Sequence, residues 1–303
     1  YIFYCSNTWP GLVIDDIYCR KGVLSNKRWS FGDKFRVLSP SRTGWDCIHV
    51  CDPDVIRGEF CWKGEIYLWM MVYLGCDIHY CYHNQIGIAF AKEIEGPYVS
   101  YDGNPILKYN EIYHWGNGQA SVVSIDGRGR FRILYTQTVF EYERHYYGAR
   151  TFWRDVDMSD ADHPVIGEEV AMHTGGIVNR GNEGDTTVMN CTVVWDRNND
   201  QYIITRDGTP FDRERTPNFI APYTQVLAIS RRDFEKNEGG WRVLYNIDES
   251  DTGFFRNHNA GVFKDSYGWL YEGRVLPVAI TVSELKEEGS LWSYRIYYKE
   301  IEI

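Results

Sequence analysis

One six-residue pattern recurs along this 303-residue chain and limits what it can fold into. Its copies are Cys51-Asp52-Pro53-Asp54-Val55-Ile56, Gly118-Gln119-Ala120-Ser121-Val122-Val123, Met189-Asn190-Cys191-Thr192-Val193-Val194 and His258-Asn259-Ala260-Gly261-Val262-Phe263. In each, a polar residue (Asp52, Gln119, Asn190, Asn259) precedes a small residue or proline, one variable residue and two apolar ones. The polar positions lie 67, 71 and 69 residues apart. A fixed period with one polar position in register marks a repeat architecture.

Within each repeat, short β-branched and aromatic runs alternate with Gly, Pro, Asn and Asp, which is the pattern of strands and turns. The first repeat carries Ile66–Leu74 and Gln85–Ala91, and the second Arg130–Thr136 and Gly148–Trp153. The third carries Gln201–Thr205, Gln225–Ser230 and Trp241–Tyr245. Three or four strands per repeat make each repeat one antiparallel sheet, and a ring of such sheets is a β-propeller. The expected fold is therefore all-β, a five-bladed propeller of antiparallel sheets around a central funnel, in a single domain over residues 1–303. Only four repeats are visible, so the fifth sheet is expected from residues 1–44, where Phe35–Leu38 reads as a strand, with help from the C-terminal strand Trp292–Ile303.

Composition narrows the function. A chain that is 44% apolar and 16% aromatic can bury a large core. A net charge of −10 argues against nucleic acid, which needs clustered Lys and Arg, and suits a sugar-like ligand. No apolar run reaches 18 residues, so no membrane span is expected; the longest, Ile66–Leu74, has strand length. The chain opens on Tyr1 with neither methionine nor signal peptide, so compartment is not directly legible. The eight cysteines are expected to be mostly free thiols, because a chain of this length needs no staples and Cys51 and Cys191 fall in inner strands. No CxxC pair suggests zinc, and no metal ligands are assigned. The pairs Trp45-Asp46 and Trp195-Asp196 raise a WD40 scaffold, but that family repeats every 40 to 45 residues rather than near 70.

Asp52-Pro53-Asp54-Val55-Ile56 and its Tyr-rich strand are followed by Asn84-Gln85-Ile86-Gly87-Ile88-Ala89-Phe90-Ala91, Glu95-Gly96-Pro97-Tyr98 and Gly103-Asn104-Pro105-Ile106-Leu107. Together they resemble the first blade of the five-bladed propeller glycoside hydrolases. That group holds arabinanase, xylosidase, levansucrase and invertase-like enzymes, with family 43 the best known. The similarity is strongest over residues 46–140 and weaker to residue 270. It implies cleavage of a glycosidic bond in a plant, algal or microbial oligosaccharide or polysaccharide. It also implies Asp52 in the funnel as catalytic base or nucleophile, and a secreted or periplasmic location. A calcium ion on the propeller axis would follow family habit, with His258 its nearest candidate ligand. Asp54, two residues on, shares the strand face of Asp52 and is expected to line the funnel too.

The departures from the family pattern matter as much. Gln119-Ala120 stands where a second Asp-Pro is expected, and Asn190 where the register would place the acid. Glycoside hydrolysis ordinarily needs two carboxyl groups. Glu183 and Asp185, just before the third inner strand, are the first candidates for the second, and Glu272 after the fourth is another. The alternatives are a plain turn at Glu183 and Asp185 and a pairing of Glu272 with Arg274. Asp207, in Thr205-Arg206-Asp207-Gly208-Thr209-Pro210, is a candidate sugar contact, although an Asp-Gly turn is the simpler expectation. Gln119, Asn190, Asn259 and His258 are expected to bind substrate, and Trp115, His114 and Trp45 to line the funnel, with stacking from the tryptophans. A carbohydrate-binding propeller without catalysis is the rival, since Gln119 and Asn190 are amides that hydrogen-bond hydroxyls without ionising.

Overall fold

The computed structural model describes residues 1–7, 14–26, 28–141, 146–180, 186–208, 221–271, 273, 275–283 and 295–303, the side chains of 140, 141, 146 and 147 excepted. Five antiparallel sheets and one small hairpin account for nearly all the regular structure among these residues. The chain groups into two compact units: Tyr1–Gly148 with Arg154–Glu169, and Ala149–Trp153 with Val170–Ile303.

In the first unit, β1 (Ile2–Asn7), β2 (Asp15–Arg20) and β5 (Phe35–Leu38) form one sheet. β3 (Gly22–Ser25) and β4 (Arg28–Phe31) form the hairpin. The first repeat gives β6 (His49–Trp62), β7 (Glu65–Cys76), β8 (Gln85–Ala91) and β9 (Val99–Ser100), hydrogen-bonded in that order. Every residue of β8 is buried. A strand covered on both faces needs no polar alternation, which is why residues 86–91, after Gln85, carry no polar side chain. Val50, Met71, Tyr73 and Ala89 of this sheet join Ile17 and Val37 of the N-terminal sheet in one core.

The second repeat supplies β10 (Asn117–Ser124), β11 (Arg130–Glu141), β12 (Tyr146–Asp157) and β13 (Val165–Ile166), and β14 (Val170–Ala171) also pairs with β12. Residues 149–153 of β12 and β14 belong to the second unit.

The rest of the second unit is β15 (Thr192–Asp196), β16 (Gln201–Asp207), β17 (Thr224–Ser230) and β18 (Arg242–Ile247) in one sheet, and β19 (Arg256–Val262), β20 (Val275–Ser283) and β21 (Arg295–Glu302) in another. Two short helices, α1 (Arg231–Glu235) and α2 (Glu249–Thr252), punctuate them. α2 is stopped at both ends by local chemistry: Asp248 and Asp251 form a reciprocal capping box, and Gly253 closes it at φ 76°. Val194, Ile203, Val226, Leu276 and Ile280 are fully buried in the unit's core.

The N-terminal segment does build its own sheet, but the expected help from the C-terminus is not what is found. β21 pairs with β20 along eight residues and completes the last repeat's sheet. The alternating pattern Val278, Ile280, Val282, each fully or almost fully buried, gives β20 one core face within its own repeat, and β21 extends that sheet.

Candidate functional site

The four repeat residues share more than polarity. Asp52, Gln119, Asn190 and Asn259 all adopt left-handed backbone, at φ 48°, 53°, 50° and 50°. Such values are uncommon outside glycine and are best tolerated by Asn and Asp. In three of the four the cause is a β-bulge: the ladder skips between Cys51 and Asp54, between Gly118 and Ser121, and between His258 and Gly261. Asn190 lies two residues before the start of β15. A bulge leaves a residue unpaired, bends the strand and re-aims the side chain. The repeat in sequence is therefore a repeat of backbone geometry.

Two residues on, the same register makes joints between sheets. Asp54 accepts bonds from Ser121 Oγ (2.6 Å) and the Val122 amide (2.9 Å), fastening β6 to β10, while its other oxygen accepts the Val55 amide (2.9 Å). In the third repeat Thr192 Oγ donates to Ala260 O at 3.0 Å, fastening β15 to β19. The expectation that Asp54 shares the face of Asp52 assumes an unbroken ladder between them. The bulge between them breaks the two-residue alternation, and the Asp54 carboxylate serves the neighbouring strand.

Asp52 is half-buried in the first unit. The neighbouring Cys51 is bonded to Cys5 as a disulfide with Cα atoms 5.0 Å apart, which corrects the expectation for Cys51; six other cysteines, Cys191 among them, are free thiols. The pairing arises because β1 packs against β6 and brings together residues 46 positions apart. Cys51 Sγ lies 3.4 Å from Asp52 Oδ1, a contact without a proton since the sulfur is bridged. Two residues earlier, His49 is 3% exposed, with Asp15 Oδ2 3.3 Å from Nδ1 and Cys81 Sγ 4.0 Å from Nε2. Burial opposes the imidazolium, yet the contacts with Asp15 and Cys81 prevail and carry His49 up to about 9.

The aromatic candidates are seated in this unit. Trp45 packs against Tyr73 with ring centroids 5.4 Å apart, and a methyl group at Gly75 or Gly87 would come within 2.6 Å of its indole. Glycine on both β7 and β8 makes the flat seat on which Trp45 lies. Trp115 is half-buried and overlies Gly118, and His114 Nδ1 pairs with Tyr109 Oη at 3.0 Å.

In the second unit, Asp207 gathers three of the candidates. It is 1% exposed at the end of β16. Its Oδ2 lies 2.5 Å from Asn190 Nδ2 and 2.5 Å from His258 Nδ1, and its Oδ1 accepts the Asn259 amide at 3.0 Å. Asn190 is 6% exposed. A buried carboxylate persists only when hydrogen bonds replace its water, and these three do so. Asp207 is thus the end of a strand and a hub, where an Asp-Gly turn was the simpler expectation. Gly208 continues toward β17, its amide donating to Tyr223 O at 2.8 Å under a ring that a Cβ would strike. Beside the hub, fully buried Arg206 donates to Gln225 Oε1 (2.9 Å), to Thr187 O (3.1 Å) and to Asn179. Sequence reasoning gave Arg206 no role of its own; its only signal was the charge before Asp207 in an otherwise apolar strand.

Glu183, Asp185 and Glu272 lie outside the described residues. For calcium, the test is the donor set. Among the described residues the two groups of three close donors are Cys5, Cys51, Asp52 and Asp15, His49, Cys51. Neither contains His258, and both bring sulfur to a cation that prefers six to eight oxygens. Neither of these two donor groups fits calcium.

No family model matches the sequence, and no curated protein does. Solved structures do match. An α-L-arabinofuranosidase from Lactobacillus brevis aligns over 98% of this chain and 86% of its own, with a TM-score of 0.56 at 8% identity. A thermostable family-43 glycoside hydrolase aligns over 100% and 91%, with a TM-score of 0.52 at 13% identity. The fold is that of the five-bladed propeller glycoside hydrolases. An endo-arabinase from Bacteroides thetaiotaomicron repeats the match over 99% of this chain and 88% of its own, with a TM-score of 0.52 at 11% identity. At such identities the likeness is one of fold. In this propeller chain the left-handed strand starts are the feature that places polar groups in register. No helix among the described residues is long and apolar enough to cross a membrane.

Proposed function

We propose that this propeller hydrolyses glycosidic bonds in an oligosaccharide or polysaccharide, with arabinofuranosyl linkages the first class to test, and that Asp52 is its catalytic base or nucleophile. The observation that carries the reading is the shared backbone of the four strand starts, of which Asp52 alone is ionisable. The arabinose-directed enzymes among the fold neighbours support the substrate class. Asp52 would activate water or attack the anomeric carbon, and Glu183, Asp185 and Glu272 are the candidates to protonate the leaving oxygen. Carboxyl groups about 5 to 5.5 Å apart give retention and about 6.5 to 9.5 Å inversion. Gln119, Asn190, His258 and Asn259 are the candidate sugar contacts, with Asp207 holding three of them in place.

The test is an Asp52→Asn variant assayed on arabinan oligosaccharides and an aryl arabinofuranoside. The expected result is a fall in kcat/KM of about 10³-fold or more with the circular dichroism spectrum unchanged. Unchanged turnover removes Asp52 from the mechanism. The second reading, a carbohydrate-binding propeller, is favoured by the amides at Gln119 and Asn190. It prevails if the parent chain cleaves none of a broad glycan panel while calorimetry detects binding.

A further inference from the structure

The Cys5–Cys51 pair sits among more metal-binding side chains than a covalent tie needs. Strand alternation explains how they meet. Cys5 and Asn7 share a face of β1, and Asp15 lies directly across from Asn7 on β2, so Cys5 and Asp15 stand on the same side of that ladder. β1 and β2 pack on β6, where His49 and Cys51 are likewise two residues apart. The donors converge accordingly. One atom each of Asp15, His49 and Cys51 lie within 4.8 Å of one another, and so do those of Cys5, Cys51 and Asp52.

A second observation points to a ligand. His49 is 3% exposed, and its Nδ1 is ion-paired with Asp15 Oδ2 at 3.3 Å without reaching hydrogen-bond geometry. A buried polar nitrogen is ordinarily satisfied. This one faces a carboxylate, with a pair of sulfurs in the same corner. Two thiolates, one imidazole and one carboxylate are a complete tetrahedral set for zinc and a poor one for calcium or magnesium.

We propose that when the Cys5–Cys51 bond is reduced, Cys5, Asp15, His49 and Cys51 hold a zinc ion, so that this corner of the first unit exchanges a covalent tie for a metal one. With a trialkylphosphine as reductant, phosphorus takes oxygen from water, the sulfur–sulfur bond accepts the electron pair, and the two water protons cap the two sulfurs. Zinc then displaces both thiol protons to solvent. The absence of any CxxC spacing hid the site, because its ligands come from three strands. The proposal does not rest on the glycosidase reading.

The experiment reduces the full chain with tris(2-carboxyethyl)phosphine, removes the reagent under argon and titrates Zn²⁺ against a chromophoric chelator, with Co²⁺ as a spectroscopic probe. The expected result is one zinc per chain after reduction and none before, with a thiolate-to-cobalt charge-transfer band. Binding should weaken about tenfold or more in Cys5→Ser and in His49→Ala. Asp15→Asn, which keeps the side-chain shape, serves the same purpose should His49→Ala fail to fold. Two results overturn the proposal: no zinc uptake by the reduced chain, or uptake unchanged in the variants, which would assign it to Cys47, Cys76 or Cys81.

Discussion

Asp52 and Asn190 hold the same place in their repeats and nearly the same backbone, at φ 48° and 50°, yet they keep opposite company. Asp52 is a half-buried carboxylate beside a disulfide. Asn190 is a buried amide that spends its donor on Asp207 and approaches His258. One backbone device thus presents a titratable group in the first unit and in the second completes a network around an acid contributed by another strand. The lesson is that the repeat sets position, while local partners set chemistry.

The hardest blow to that contrast is Asp207→Ala. It leaves Asn190, His258 and the Asn259 amide without their common acceptor, and urea denaturation should show a loss of about 3 kcal/mol. A loss under about 1 kcal/mol would mean that the network reorganises without its hub. The two joints come next. Asp54→Ala removes a charged acceptor from Ser121 and Val122 and should cost about 2 kcal/mol, whereas Thr192→Val removes one hydroxyl bond and should cost about 1 kcal/mol. Equal costs would show that both joints depend on packing rather than charge. Smaller again, Gln119→Gly should raise the unfolding free energy by about 0.5 kcal/mol, read from urea denaturation, since glycine adopts φ 53° without strain. A destabilised variant would show that the Gln119 side chain contributes more than its backbone costs.

The smallest effect concerns pH. Burial alone would raise the Asp248 carboxyl, but its bonds from Ser250 and its pairing with Arg180 outweigh that and hold it below the usual carboxylate range. A depressed folded-state value stabilises above the ordinary range, and that contribution is lost as pH falls through the lowered value. Melting curves from pH 6 to pH 3 should therefore fall less steeply in Asp248→Asn than in the parent chain. Identical slopes would exclude Asp248 from the acid response.

Much of the fold was legible because burial on both faces of a sheet leaves long apolar runs. Gln85–Ala91 emerges in this way as β8 at the predicted ends, and Phe35–Leu38 emerges as β5 although Arg36 is exposed. The repeat residues were legible as a register but not as a conformation, since polarity alone does not reveal a left-handed bulge. What escaped depends on contacts distant in sequence. Cys5 meets Cys51 across 46 residues, and Asp207 meets His258 across 51. The contacts of Asp54 with β10 were hidden for a local reason, because period-two reasoning assumes an unbroken ladder. The C-terminal strand misled for a topological one: its apolar pattern fits either sheet, and hydrogen bonding to β20 decides.

Because each strand start owes its orientation to the peptide rather than to the group it carries, charge can be rewritten there at little cost to the architecture. Gln119→Glu is a one-base change that would turn a neutral station into an acidic one and leave the ladder from Ser121 to Ser124 in register. Such a scaffold lends itself to gain and loss of chemistry by single substitutions, and this chain carries three neutral stations and one acidic one.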